Sequence, residues 1–269
     1  MFYWGSVRMH HGNRFPALFV VFALILSLPA CETFSSFGEA SSQQGDIDSA
    51  LLDGARSAEA NGEHAVAAGQ YQKLYAKDRK NRDVVLGLAR NLRYLGRTQE
   101  AEGVLAGSDE FKSGDPAVIL EYAKIEISKG AAVKALGHLT TLQKTDPLNW
   151  DVYSTLGIAY DMTESFHDAR QAYEKGLELA PSSPALINNM ALSIALSGNL
   201  DEAIQIMEDA SLVVRRNEQV RQNLALLYGL KGDERKSRAI SGISLDEESI
   251  RSNLAVYSKL RGGKLHSQN

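Results

Sequence analysis

The chain has 269 residues, of which 44% are hydrophobic and 23% charged, and its formal net charge is −4. This composition is that of an ordinary globular protein, and the acidic balance argues against a nucleic-acid-binding domain, which normally carries a basic excess. The single cysteine, Cys31, excludes an intramolecular disulfide and a cysteine-based zinc site.

Residues 1–30 have the order of a secretory signal peptide. Arg8 and Arg14 precede an apolar run over residues 15–28, and small residues follow that run. The run is shorter than the roughly 20 residues that a membrane-spanning helix needs. Met9 is an alternative start that would give the signal a more usual length.

The end of this segment resembles the lipobox of bacterial lipoproteins. It reads Leu28-Pro29-Ala30-Cys31, and the chain's only cysteine occupies the position that is lipidated. The alternative is an ordinary signal peptide with an accidental cysteine. The lipobox resemblance implies a diacylated Cys31, and Glu32 in place of an aspartate implies an outer-membrane anchor facing the periplasm. Two acyl chains suffice for stable anchoring, whereas one is marginal.

Residues 31–47 are predicted to form a lipidated, flexible tether. The stretch ETFSSFGEASSQQGD is polar, rich in serine, glutamine and glycine, and contains two phenylalanines. A flexible coil of this length reaches roughly 20 Å.

From residue 48 onward the sequence repeats every 34 residues. Glycines recur at one position of the repeat and alanines at another, and a fixed period of this length indicates stacked supersecondary units. We expect each glycine to end a helix in a left-handed cap and each alanine to lie where two helices cross closely. The glycines are Gly62, Gly96, Gly130, Gly198 and Gly232, and the alanines are Ala67, Ala101, Ala135, Ala169 and Ala203. The six units within 48–251 are 48–81, 82–115, 116–149, 150–183, 184–217 and 218–251.

The fourth unit resembles the tetratricopeptide pattern W-x₂-L-G-x₂-Y…A-x₃-F…P, with a tyrosine in the tryptophan position. The resemblance implies an all-α tetratricopeptide-repeat superhelix of six helix-turn-helix repeats, packed through small residues. The matching residues are Tyr153, Leu156, Gly157, Tyr160, Ala169, Tyr173 and Pro181. The small packing residues that we assign are Gly157, Ala135, Ala169 and Ala203.

Three dipeptides are predicted to begin helices, because an N-cap oxygen precedes a proline that suits the first turn. They are Asp115-Pro116, Asp146-Pro147 and Ser183-Pro184.

The sixth unit departs from the repeat. Ser237 replaces the recurrent alanine, and about one helical turn is missing before the motif of the first helix appears again. We predict that residues 246–261 form a thirteenth helix that caps the array, that Gly262-Gly263 ends it, and that residues 262–269 are a disordered tail.

No motif for catalysis, phosphate binding or metal binding appears in the sequence. The four histidines after residue 31 lack partners at metal-ligand spacing, so surface or packing roles are expected for His64, His138, His167 and His266. The sequence therefore predicts neither an enzyme nor a cofactor.

The tetratricopeptide resemblance implies that the first helix of each repeat lines a concave groove. Its N-terminal half would carry mainly charged side chains: Asp53, Arg56, Glu59, Arg90, Arg93, Tyr94, Glu121 and Lys124. The C-terminal half would combine amides with aliphatic residues, a pattern that suits an extended peptide or a docked helix. We predict the partner-binding residues to be Thr155, Ile158, Met162, Asn188, Asn189, Leu192, Leu196, Gln222, Asn223, Leu226 and Leu230. The asparagines, which recur at Asn253, could instead serve helix packing, and the thirteenth helix or a second subunit could fill the groove.

The lipobox, the uninterrupted repeats and the terminal LDEESIRSNLAVYSKLRG element are similar to the assembly lipoproteins of tight-adherence (Tad/Flp) pili. This resemblance implies a pilotin-like adaptor at the outer membrane that binds protein partners and supports a secretin. The alternatives are a type IV pilus pilotin, a scaffold for peptidoglycan enzymes, and a cytoplasmic or inner-membrane adaptor with a false lipobox.

Replacing Cys31 by serine is expected to abolish lipid labelling and to leave unprocessed precursor, because only a thiol can form the thioether bond to the lipid. The measurement is incorporation of a labelled fatty acid into the wild type and into Cys31→Ser. Equal labelling of the two proteins contradicts the lipoprotein hypothesis.

Overall fold

The computed structural model describes residues 36–210 and 212–266, so the predicted signal peptide and Cys31 lie outside the described residues. The described chain consists of helices joined by short turns. The helices are α1 (Ser36–Ala60), α2 (His64–Lys77), α3 (Arg82–Tyr94), α4 (Thr98–Ala106), α5 (Asp109–Ser113), α6 (Pro116–Ser128), α7 (Ala132–Thr145), α8 (Trp150–Met162), α9 (Phe166–Leu179), α10 (Pro184–Leu196), α11 (Leu200–Asp209), α12 (Leu212–Arg216), α13 (Glu218–Lys231), α14 (Glu234–Ser241) and α15 (Glu247–His266).

The helices follow the 34-residue period as pairs of a first helix (A) and a second helix (B). The A helices are α1, α3, α6, α8, α10 and α13, and all but α1 begin at the first residue of a predicted unit. Successive A helices contact one another, whereas successive B helices make at most slight contacts. The A helices therefore line the inner, concave side, and the predicted all-α superhelix of helical repeats is confirmed.

Small residues lie where the two helices of each repeat cross. The recurrent alanines of both helices are fully buried: Ala67, Ala101, Ala135, Ala169 and Ala203 on the B helices, and Ala55, Ala89, Ala123, Ala191 and Ala225 on the A helices. In the sixth repeat Ser237 is equally buried, and its hydroxyl donates to the carbonyl of Ala225 at 2.7 Å. The serine keeps the close approach because it is small and its polar atom is satisfied.

Left-handed residues end the A helices. The five predicted glycines all have positive φ, between 74° and 103°. In the fourth repeat Glu164 takes the same position with φ 57°. At Gly96 the amide of Arg97 donates to the carbonyl of Leu92 at 2.9 Å, which satisfies a carbonyl that the helix end would leave unpaired.

Two of the three predicted helix starts are confirmed. Asp115 and Ser183 accept hydrogen bonds from backbone amides of α6 and α10, each with proline in the first turn. The third prediction is wrong, because α8 begins at Trp150 and Asn149 caps it. The carboxylate of Asp146 accepts instead from the side chain of Asn149 at 2.9 Å, so the Asp-Pro pair belongs to the preceding turn.

The first helix begins earlier than the sequence predicts. Helix α1 starts at Ser36, so residues 36–47 are helical rather than a flexible coil. Extending an existing helix requires no new nucleation, and α1 is held in place further along by packing on α2. Lys77 of α2 pairs with Asp48, near the point at which this extension leaves the array.

Helix α15 packs on α13 and α14 in the place of a seventh A helix. Ile250 is buried as its counterpart Val220 is, and Arg261 donates to the carbonyl of Gly229 at 3.3 Å. Side chains on the opposite face, such as Arg251 and Lys259, are exposed, which gives the end of the array a polar surface. The prediction that Gly262-Gly263 ends this helix is wrong, since it continues to His266. A pair of glycines lowers helix stability but does not stop a helix that is already anchored.

Replacing Gly157 by alanine is expected to lower the free energy of unfolding by about 1–3 kcal/mol. A Cβ atom there would lie 2.4 Å from the ring of Tyr173, and that ring is itself buried. The matched control is Gly69→Ala on α2, where a Cβ meets nothing within 4 Å. The control is expected to add about 0.5–1 kcal/mol, because alanine restricts the unfolded chain. Chemical denaturation measures both, and similar effects of the two changes would contradict the packing described.

Candidate partner-binding groove

Hydrogen bonds between neighbouring A helices define the polar side of the groove. Asn223 of α13 donates to the side-chain oxygen of Asn188 on α10 at 2.6 Å. Asn189 of α10 donates to the hydroxyl of Ser154 on α8 at 3.5 Å. The predicted asparagines therefore face the adjacent helix, as the helix-packing alternative requires.

The predicted polar residues divide into buried and accessible ones. Asn188 is 3% exposed and Thr155 is 2% exposed, and the Thr155 hydroxyl donates to the Asp151 carbonyl at 2.7 Å. These two residues serve helix packing rather than the groove, contrary to our prediction. Asn189 and Asn223 are partly exposed.

The predicted aliphatic residues form one row, which we call the apolar strip. Its members are Ile158, Met162, Leu192, Leu196, Leu226 and Leu230, at two equivalent positions of α8, α10 and α13. Ile158 and Leu192 pack against the core with one side. Leu196, at the end of α10, is 48% exposed and is the most open member. Helix α15 packs mainly on α13 and α14, so the part of the strip on α8 and α10 lies away from its main contacts.

Most charged side chains that the sequence assigned to the N-terminal half form ion pairs across successive A helices, and Asp83 and Asp151 complete two of these pairs. We call these pairs the charge ladder. Its pairs are Arg56–Asp83 at 2.8 Å, Arg90–Glu59 at 2.9 Å, Arg93–Glu121 at 2.7 Å and Lys124–Asp151 at 2.5 Å. The Arg93 and Glu121 side chains are 8% and 5% exposed. The charges of this half therefore hold adjacent repeats together, and most of its groove is electrically compensated.

Sequence reasoning missed two acidic residues, one of which the fold buries and the other of which it partly buries. Glu126 of α6 is 6% exposed, its Oε2 accepts no hydrogen bond, and its nearest cationic candidate is His138 at 3.8 Å. Burial raises the pKa of Glu126 above the ordinary value. The signal in the sequence that could have revealed Glu126 is an acidic residue within the apolar run of α6.

The second missed residue is Asp161, near the end of α8. It accepts hydrogen bonds from Ser193 at 2.5 Å and from Tyr173 at 2.8 Å. Burial raises its pKa, and the two hydrogen bonds oppose that rise. Glu59 and Tyr71 make the equivalent bond at 3.1 Å in the first repeat, so an acid followed twelve residues later by tyrosine was the available signal.

Within residues 36–210 and 212–266 no cluster of histidine, aspartate, glutamate or cysteine is arranged to hold a metal ion. Over the same part of the chain, no helix is both long and apolar enough to cross a membrane.

Glu121→Ala is expected to lower the free energy of unfolding by about 3 kcal/mol, because it leaves the buried Arg93 guanidinium without its carboxylate. The matched control is Glu100→Ala, which removes the carboxylate of an exposed pair with Arg97. That change is expected to cost far less, because solvent screens an exposed ion pair. Denaturant unfolding of both variants measures the difference, and equal costs would show that the charge ladder is not structural.

Comparison with known proteins supports the repeat assignment. Residues 52–116 match the family model described as tetratricopeptide repeat. A thermophilic TPR protein of Thermus thermophilus is similar over 64% of this chain and 96% of its own, with 22% identity and a TM-score of 0.57. A tetratricopeptide repeat protein of Parabacteroides merdae covers 80% of this chain and 92% of its own, with 17% identity and a TM-score of 0.55.

A chain of the Cut9–Hcn1 hetero-tetramer of the APC/C is similar over 78% of this chain but only 42% of its own, with 16% identity and a TM-score of 0.62. No curated protein matches the sequence. At these sequence identities the structural similarity supports the fold but not a function. The chain folds as a tetratricopeptide-repeat superhelix, and its residues 52–116 match the tetratricopeptide repeat family model.

Proposed function

We propose that this chain is a lipid-anchored adaptor that holds a partner protein in the concave groove of its C-terminal half. The observation that carries the proposal is the apolar strip, which leaves Leu196 about half exposed in the groove of the array. Contiguous exposed apolar surface of this kind marks interaction sites in soluble proteins. The tetratricopeptide fold, which residues 52–116 also match by family, is suited to protein–protein interaction.

The groove suits a short apolar segment of the partner. Leu192 and Leu196 are one helical turn apart on α10, and Leu226 and Leu230 repeat that spacing on α13. A docked helix or an extended peptide presents side chains at intervals that such paired sites accept. Asn189 and Asn223 are partly exposed and border the strip, and an amide side chain can pair with backbone groups of a ligand.

The cellular setting of the proposal comes from the sequence. The lipobox-like segment ending at Cys31 supports a lipid anchor at the outer membrane, with the array in the periplasm. The resemblance to tight-adherence pilus lipoproteins supports a role in pilus assembly, with a secretin or another assembly component as the partner. A type IV pilus pilotin and a scaffold for peptidoglycan enzymes are the alternative adaptors.

A photo-cross-linking amino acid at position 192, in the native organism, tests the proposal together with membrane fractionation. The expected result is one dominant cross-linked species in the outer-membrane fraction, identified by mass spectrometry as a pilus assembly protein. A peptidoglycan hydrolase as the cross-linked species favours the scaffold alternative. Recovery of the chain in the cytoplasm contradicts the lipid-anchored adaptor.

Leu196→Asp is expected to weaken capture of the cross-linked partner about tenfold or more without changing the melting temperature. The side chain is 48% exposed, so the charge is tolerated in the free protein but disrupts an apolar contact in the complex. The control is Leu148→Asp, which places the same charge on a more exposed leucine in the turn before α8. Equal binding by the two variants would contradict the proposed groove.

A further inference from the structure

One carboxylate of the concave face lacks a positive partner. The acids at groove-lining positions are Asp53, Glu59, Asp83, Glu121, Asp151 and Asp161, and each of the first five lies within 4.0 Å of an arginine or lysine nitrogen. Asp161 forms no ion pair within the part of the chain that the structure describes. Its two hydrogen-bond donors, Ser193 and Tyr173, are neutral hydroxyls.

Comparison with the first repeat shows what Asp161 lacks. Glu59 accepts from Tyr71 as Asp161 accepts from Tyr173, and it also pairs with Arg90 on the next A helix. The residue three repeats after Arg90 is Leu192. A leucine therefore stands where the counter-ion of this carboxylate would be, and that leucine belongs to the apolar strip.

The surroundings of Asp161 make it costly to leave its carboxylate without a counter-ion. Met162 follows it on α8, and Leu192 and Leu196 lie on the adjacent helix α10, so much of its neighbourhood is apolar. An ionised group in such a place is costly without a compensating charge. A cation brought in by a ligand would be attracted strongly there, because solvent screens a partly buried pair less than an exposed one.

We propose that Asp161 is the counter-ion for a lysine or arginine side chain carried by the segment that binds the apolar strip. The inference rests on the proposed function and narrows it. The partner segment is mainly aliphatic and carries a basic residue, which enters the groove between α8 and α10. The charge ladder offers no such site, because its carboxylates already have partners.

A selection experiment tests this inference without knowledge of the partner. A display library of random twelve-residue peptides is selected on the full-length protein in detergent, and in parallel on Asp161→Asn. The expected result is that wild-type binders combine aliphatic residues with an enriched lysine or arginine. Binders of Asp161→Asn keep the aliphatic residues and lose the basic enrichment. A synthetic wild-type binder should bind Asp161→Asn about tenfold more weakly or worse, since it loses a desolvated charge pair.

Two matched variants separate the charge effect from damage to the fold. Asp151→Asn removes a carboxylate that already pairs with Lys124, and it should leave the basic enrichment unchanged. Leu192→Arg supplies the arginine that the first repeat has, so peptides selected on this variant should show no basic enrichment, because Asp161 is already paired. Thermal unfolding shows that each variant remains folded before binding is compared.

The outcomes distinguish the inference from the proposed function. Wild-type binders that depend on Leu192 and Leu196 but carry no basic enrichment overturn the inference and leave the groove in place. The same basic enrichment on wild type and Asp161→Asn also overturns it. Selection of no peptide whose binding depends on the apolar strip overturns the proposed function, and the inference with it.

Discussion

The structure depends on how closely the two helices of each repeat approach. Alanine on both helices, or glycine on one, allows the backbones to come together, and large residues such as Tyr173 fill the space beside the crossing. A larger side chain at the crossing would separate the pair, and each pair is the surface on which the next one stacks. The 34-residue period, the inner layer of A helices and the position of the groove all follow from this contact.

The concave face uses two different means of joining repeats. In the first four repeats the A helices are joined by ion pairs, of which Arg93–Glu121 is nearly buried. In the later repeats they are joined by amides and hydroxyls, such as Asn223 to Asn188. The ion pairs of the first repeats neutralise their own charges, so little remains there to attract a ligand. The amide and hydroxyl bonds of the later repeats leave aliphatic side chains partly exposed. The face is therefore structural at one end and suited to binding at the other.

Both ends of the array depart from the repeat. At the C-terminal end, α15 covers the last repeat with its apolar side and turns charged residues such as Arg251 to solvent. At the N-terminal end, α1 extends about twelve residues beyond the start of the first repeat, roughly 18 Å of helix at the usual rise. In the proposed lipid-anchored adaptor, residues 36–47 of the segment between Cys31 and the array are helical.

The sequence by itself determined the repeat. Small residues and glycines recur every 34 residues because the same close helix crossing and the same helix end recur in every unit. Ala169 and Gly198 were recognisable for this reason, and so was the approximate membership of the apolar strip. The tertiary structure alone decided which polar groups remain available, since that depends on neighbours far apart in the chain. Asn188 and Thr155 have groove-lining positions but are buried, and Glu121 is neutralised by Arg93 from the preceding A helix. Only the fold shows that Asp161 lacks a counter-ion among the described residues, because it places Leu192 where the first repeat has Arg90. Whether a charge has a counter-ion depends on its neighbours in space, not on its neighbours in the sequence.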